Sequence, residues 1–179
     1  MCGIYGMVSA RALRHPHVLE AMGESLRHRG PDGRAFFEAP HARIATERLR
    51  IIDLHERADQ PFASPDDRVW LEANGEIYNA AELAQRLQAR GVQLRGGSDS
   101  EVLLETFAAE GRDALRKLRG MYAFAIWDTR NLELICARDP FGIKPLYYTL
   151  AEGGKQLRFA SERKALLGPG EVSVIDPDA

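Results

Sequence analysis

Cysteine is scarce in this chain, at two residues in 179, which is too few for a disulfide framework or a zinc site. Long apolar runs are missing as well. The longest, residues 121–127, falls far short of the roughly 20 residues that span a bilayer. No charged opening followed by an apolar stretch marks a secretory signal. Neither sign of charge dominates, the formal net charge being −2, so there is no electrostatic case for nucleic acid as a partner. Arginine outnumbers lysine, but acidic residues balance it and no basic run stands alone. His15 and His17 flank Pro16 without a cysteine or carboxylate partner at ligand spacing, so no metal is expected there. What remains is an ordinary globular composition, 45% hydrophobic and 28% charged, long enough for one substantial core and unlike a two-domain chain. No repeat or low-complexity segment is visible, and the expected compartment is the cytoplasm.

The periodicities alternate between strand and helix. Residues 2–9 read as a strand, and Val18, Leu19, Met22 and Leu26 form one helical face that stops before Gly30-Pro31. Residues 34–38 and 43–49 are strand-like and hinge at Pro40. Residues 69–73 form another strand, ending at Asn74-Gly75. Asn79 with Glu82, and Ser98 with Glu101, have capping-box spacing and predict two helices, closed by Gly91 and Gly111. After Gly120, residues 121–128, 132–138, 146–150 and 157–160 read as four strands at hairpin spacing. Strands, two helices and a meander imply an α+β fold with mainly antiparallel sheet.

One cysteine stands at position 2. Removal of Met1, which a small neighbouring side chain permits, makes Cys2 the N-terminal residue. It then carries a thiol nucleophile and a free α-amine able to act as base. Their ordinary pKa values, near ~8.5 and ~8, suit that task. Position alone favours a small buried residue opening a strand, so the rest of the chain must decide. Cys136, in an apolar strand-like run, reads as an inert core residue.

Further polar clusters stand at strand ends and helix starts: Arg48 within residues 47–53, Asn74 to Asn79, and Gly97 to Glu101. Acyl transfer from an amide needs a nucleophile, a base and donors aimed at the developing oxyanion. Asn74 can offer its side-chain NH₂, and Gly75 a backbone N–H with no Cβ in the way. An arginine that grips a carboxylate by two prongs and an aspartate that binds an ammonium would recognise a free amino acid. Blander readings stand beside these. Arg48 fits a surface ion pair, and Asn74-Gly75 fits a type I′ hairpin turn. Gly96-Gly-Ser-Asp-Ser100 before a helix also suggests a pyrophosphate loop of ATP-using synthetases, although Arg95 sits where such loops usually have serine.

Cys2-Gly-Ile-Tyr-Gly6, Arg27-His-Arg-Gly-Pro-Asp32, Arg48-Leu-Arg-Ile-Ile-Asp53, Asn74-Gly-Glu-Ile-Tyr-Asn79 and Gly97-Ser-Asp-Ser-Glu101 together resemble the class II glutamine amidotransferase domain. The likeness continues through residues 118–128, 138–147 and 160–162, in order and over nearly the whole chain. Within that class the pattern is similar to glutamine-dependent asparagine synthetase. Amidotransferases acting on sugar phosphates or phosphoribosyl pyrophosphate share the cysteine but differ around Arg48 and Asn74.

The resemblance implies an N-terminal nucleophile hydrolase fold, a four-layer αββα sandwich of two antiparallel sheets, and hydrolysis of glutamine to glutamate and ammonia. It makes Cys2 the nucleophile and its α-amine the base, with Asn74 and Gly75 forming the oxyanion hole. It assigns the glutamine α-carboxylate to Arg48 and the α-amine to Asp99, with Leu49, Arg50, Ile51, Ile52 and Glu76 lining the same pocket. Residues 27–32 either brace that pocket or touch substrate. Thr46 stands where many relatives have histidine, a position without assigned chemistry.

The resemblance treats residues 1–179 as one glutaminase domain and implies a larger synthetase domain, on this chain's continuation or on another chain, that receives the ammonia. No cofactor is expected in this domain; ATP and Mg would belong to the synthetase. A homodimer is left open, and so is the acceptor, since β-lactam synthetase-like enzymes share this domain. A catalytically silent interaction domain is the alternative of another class, and the intact Cys2, Arg48, Asn74 and Asp99 argue against it.

Overall fold

The structure, a computed structural model, describes residues 1–13, 16–50 and 59–167. The first strand, β1 (Gly3–Ser9), is followed by helix α1 (Pro16–Leu26) and a hairpin of β2 (Gly33–Ala39) and β3 (Ala42–Arg48). Then come a short β4 (Phe62–Ala63), a long β5 (Val69–Ile77), helices α2 (Ala80–Ala89) and α3 (Asp99–Glu110), and strands β6 (Gly120–Asp128), β7 (Glu133–Arg138), β8 (Tyr147–Ala151) and β9 (Gln156–Ala160). They form a five-stranded sheet ordered β2-β3-β1-β9-β8 and a four-stranded sheet ordered β4-β5-β6-β7. Every pairing is antiparallel.

Three apolar clusters define four layers. Tyr5 and Met7 of β1 meet Val18, Leu19, Met22 and Leu26, so α1 covers the first sheet. Leu71, Phe124 and Ile126 meet Leu83, Leu87, Leu103, Leu104 and Phe107, so α2 and α3 cover the second. Ile44, Ala125, Trp127 and Phe159 fill the space between the sheets. A strand covered on both faces cannot alternate polar with apolar, which is why β1 is buried from Gly3 through Met7. Gly6 is forced by that packing: a Cβ there would stand 2.7 Å from the Phe159 ring and 2.6 Å from the Arg43 carbonyl. Fully buried Leu71, Leu103 and Leu104 contribute roughly 1.5–3 kcal/mol each. The expected αββα sandwich is the architecture observed.

Several local expectations change. The last four strands are not one meander: β6 and β7 extend the second sheet, while β8 and β9 cross to the first. Asn74-Gly75 is no turn, because β5 continues to Ile77 and pairs these residues with Ala123 and Tyr122. Neither capping box forms. The Asn79 amide bridges to the Lys117 carbonyl and the Arg119 N–H. Ser98 does cap α3, accepting from the Ser100 N–H, but Glu101 turns back to accept from the Arg95 and Gly96 N–H groups. Cys136 is not a core residue; it is exposed beside an apolar cleft with Leu146, Tyr148, Leu157 and Phe159.

Glu72 is fully buried between the sheets, 3.3 Å from the Thr46 hydroxyl, and one of its carboxylate oxygens has no partner among the described residues. Burial holds this carboxyl well above its usual range, against the opposing bonds from Thr46 and the Ala45 backbone. The native state therefore keeps a proton that the unfolded chain releases above the ordinary glutamate pKa, near ~4.3. Stability present below that pH is lost as pH rises toward the raised value, by about 1.4 kcal/mol per pH unit. Glu72→Gln is expected to remove this slope, so its melting temperature relative to the parent should climb from pH 4 to pH 8. A constant difference in melts across that range would show that Glu72 ionises normally in the fold.

Candidate active site

The start of β1, the ends of β3 and β5, the start of α3 and the turn before β8 converge on one pocket. Its lining includes Cys2, Arg48, Leu49, Asn74, Gly75, Glu76 and Asp99. At about 180 Å³ it is below the ~300 Å³ where sites for drug-sized ligands begin, so its occupant is small.

Cys2 is half-buried, with its Sγ 3.7 Å from the Leu49 carbonyl. The Cys2 carbonyl accepts a hydrogen bond from Arg29 Nε at 3.1 Å, and Arg29 Nη1 in turn bonds Glu162 at 2.9 Å. Partial burial would raise the Glu162 carboxyl. Hydrogen bonds from Arg29, Lys164 and His28 outweigh it and bring the group down to about 2. Its contribution to stability is thus complete above the ordinary glutamate range and is lost only as pH falls toward that value. Residues 27–32 therefore brace the N-terminus from behind, and none of them lines the pocket.

Gly75 owes its place to the β5–β6 register. A Cβ there would stand 2.2 Å from the Met121 carbonyl and 2.6 Å from Tyr122 Cα. Alternate N–H groups of a strand point the same way. On β5, the Ala73 N–H goes to the Gln60 side chain and the Ile77 N–H to Asp99 Oδ2, both away from β6. Opposite Gly75, Tyr122 exchanges its backbone bonds with Asp139 instead. The Gly75 N–H between Ala73 and Ile77 thus faces the pocket. Asn74 is 3% exposed, and its Nδ2 has no hydrogen-bond partner among the described residues. Asn74 Nδ2 and the Gly75 N–H thus line one small pocket, as a developing oxyanion requires.

Asp99 opens α3, where the helix dipole favours a carboxylate. It ties that helix to β5 through Ile77. Arg48 is buried and forms an ion pair with Asp59, so it is no surface residue. Partial burial opposes ionisation of Asp59, but Arg50 and Arg48 outweigh it and keep the carboxyl below its usual range. Arg50 also bonds Asp59, at 2.8 Å, and takes Asp32 on its backbone N–H. It does not line the pocket. Ile51 and Ile52 lie outside the described residues. Ser98 and Ser100, read from sequence as parts of a helix start, line the pocket too, and so do Gln60, Met121 and Lys144, which were not singled out as site residues. Of these, Lys144 alone had a signal, as a charge inside the Phe141-Gly-Ile-Lys-Pro145 turn.

The loop that suggests a pyrophosphate cradle is filled by the protein itself. Its Arg95 and Gly96 amides are spent on buried Glu101, so an incoming phosphate would meet a carboxylate. Among the described residues no three His, Cys, Asp or Glu side chains gather as metal ligands. No helix of the described residues is long and apolar enough to cross a membrane.

A family model described as "Glutamine amidotransferase domain" matches residues 1–179. The chain belongs to that family. Among similar proteins, "Asparagine synthetase [glutamine-hydrolyzing] 1" of Bacillus subtilis is 42% identical over 183 residues, covering 100% of this chain and 28% of the relative. "Asparagine synthetase [glutamine-hydrolyzing] 2" of Arabidopsis thaliana is 39% identical over 169 residues, covering 93% of this chain and 28% of that protein. The solved glutamine phosphoribosylpyrophosphate amidotransferase of B. subtilis superposes with a TM-score of 0.71 at 26% identity, over 92% of this chain and 42% of that one. This glutamine amidotransferase domain thus spans about 28% of the length of its curated synthetase relatives. Its two-sheet sandwich is the N-terminal nucleophile fold that the resemblance implied.

Proposed function

We propose that this amidotransferase domain hydrolyses glutamine at Cys2 and supplies the ammonia to an asparagine-synthetase-type amidation of aspartate. The convergence of the Cys2 thiol with the Asn74 and Gly75 donors in one amino-acid-sized pocket carries the reading. The Cys2 α-amine, freed by loss of Met1, takes the thiol proton as Sγ attacks the side-chain carbonyl carbon of glutamine. Asn74 Nδ2 and the Gly75 N–H hold the resulting oxyanion. The protonated amine returns its proton to the departing ammonia, leaving a thioester on Cys2. Water, activated by the same amine, hydrolyses the thioester to glutamate. Arg48, braced by Asp59, holds the α-carboxylate, and Asp99 holds the α-ammonium with the oxygen that Ile77 does not use. Leu49 and Glu76 complete the wall. ATP and Mg serve the synthetase part, which receives the ammonia within a longer protein or on a separate chain, in a reducing cytoplasm. Identity of 42% to a protein named for asparagine synthesis favours aspartate as acceptor over β-lactam-type substrates.

The test is a mass balance on processed protein. Glutamate and ammonia should appear in equal amounts without ATP, and no asparagine should form when aspartate and ATP are added. No glutamate from protein shown by intact mass to lack Met1 would make this a silent domain. Asparagine from the domain alone would place an ATP site within these residues.

Recognition of the two ends of glutamine makes a separate claim. Asp99→Asn keeps an acceptor for Ile77 but loses the charge, so KM for glutamine should rise roughly tenfold or more, in line with the 1.5–3 kcal/mol of a charge-assisted bond. An analogue lacking the α-amine should be nearly unaffected. Equal losses on both substrates would assign Asp99 to the fold alone. Arg48→Lys should likewise be poorly tolerated, because an ammonium cannot reproduce the guanidinium fork.

A further inference from the structure

The pocket holds a cation to which the glutaminase mechanism assigns no task. Lys144 is 7% exposed, and its Nζ lies 3.0 Å from the Met1 sulfur, a weak acceptor. No carboxylate among the described residues pairs with it. Its position is fixed from below, because Asp139 gathers the N–H groups of Phe141, Ile143 and Lys144 into one tight turn. A buried ammonium without a counter-ion is costly, and this one points at the residue whose removal exposes the Cys2 amine.

We propose that Lys144 is a positioning residue for the glutaminase reaction: once Met1 is gone, its ammonium stands beside the new Cys2 α-amine and keeps that amine unprotonated, ready to take the thiol proton. The inference rests on the glutaminase reading above. A like charge nearby disfavours protonation of an amine. The other charged groups facing Cys2 do not supply this. Arg48 is paired with Asp59, and Arg29, behind the Cys2 carbonyl, is paired with Glu162, which also takes His28 and Lys164. The Glu76 and Asp99 carboxylates across the pocket push the amine the opposite way, and the thiolate does the same once formed. Asp139 is spent on backbone amides. Lys144 is the counterweight to these anions.

The experiment compares processed parent, Lys144→Met and Lys144→Arg. Without the ammonium, the acidic limb of the kcat/KM profile should move up by about one pH unit. Activity near pH 7 should fall by up to about tenfold and approach the parent at alkaline pH, while Lys144→Arg should restore the parent profile. Iodoacetamide alkylation of Cys2 against pH should show the same displacement without glutamine. If Lys144→Met melts early, Lys144→Gln carries the same comparison. A limb and an alkylation profile that stay in place, or a loss equal at every pH, would overturn the inference. An inactive parent would overturn the glutaminase reading instead, and alkylation would still decide on Lys144.

Discussion

Protein that cannot shed Met1 is expected to hydrolyse glutamine roughly 10²–10⁴-fold more slowly than processed protein, the usual loss when a general base is removed. With Met1 attached, the Cys2 nitrogen is an amide whose lone pair is delocalised into the carbonyl, and it cannot accept a proton near neutral pH. Among the described residues the Cys2 Sγ faces the Leu49 carbonyl, which is no base near neutral pH. Met1 itself lines the pocket, so it also competes for space with substrate. The two effects separate in the kinetics, since a lost base lowers kcat whereas a plug raises KM. The comparison sets processed protein against a form with an uncleavable N-terminal extension, the state of each confirmed by intact mass. Equal turnover would end the amine-as-base mechanism, and attention would pass to another proton acceptor in the same pocket.

That Cys2, Arg48, Asn74, Gly75 and Asp99 share one pocket was legible in the sequence through the motifs that carry the family resemblance, since residue type alone left a buried cysteine, a surface arginine and a hairpin turn open. What local sequence could not decide was which distant partner each segment meets. Asn74-Gly75 has the composition of a tight turn, and only pairing with Ala123 and Tyr122, far along the chain, makes it strand. The hairpin spacing of β8 and β9 is the same whichever sheet they join; the turn knotted by Asp139 sends them across. Arg48 and Arg50 look equivalent in a motif, yet only Arg48 faces the pocket. Glu101 had the spacing of a capping partner and instead satisfied the loop before it. Capping boxes fail here because backbone amides of neighbouring loops compete for the same side chains.

Asn74→Ala is expected to lower kcat by roughly 10²–10³, the range for loss of a single oxyanion donor, with a much smaller change in KM. Asn74 Nδ2 is buried and has no hydrogen-bond partner among the described residues. A donor held dry and unpaired is already oriented when charge develops on the substrate oxygen, so little reorganisation is needed at the moment of reaction. In the ground state the glutamine carbonyl oxygen carries only a partial charge, so truncation should cost binding less than it costs the transition state. The Gly75 N–H, fixed by the β5–β6 register, remains and accounts for residual activity. Fold stability should be nearly unchanged, since that Nδ2 holds no other part of the described structure. Asn74→Asp preserves shape but replaces the donor with an anion facing the oxyanion, and should be at least as damaging. Melts of each variant, measured beside single-turnover and steady-state rates, distinguish loss of the donor from loss of the fold. A variant that altered KM alone would move Asn74 from the oxyanion hole to ground-state binding of glutamine, leaving Gly75 as the donor this site is built around.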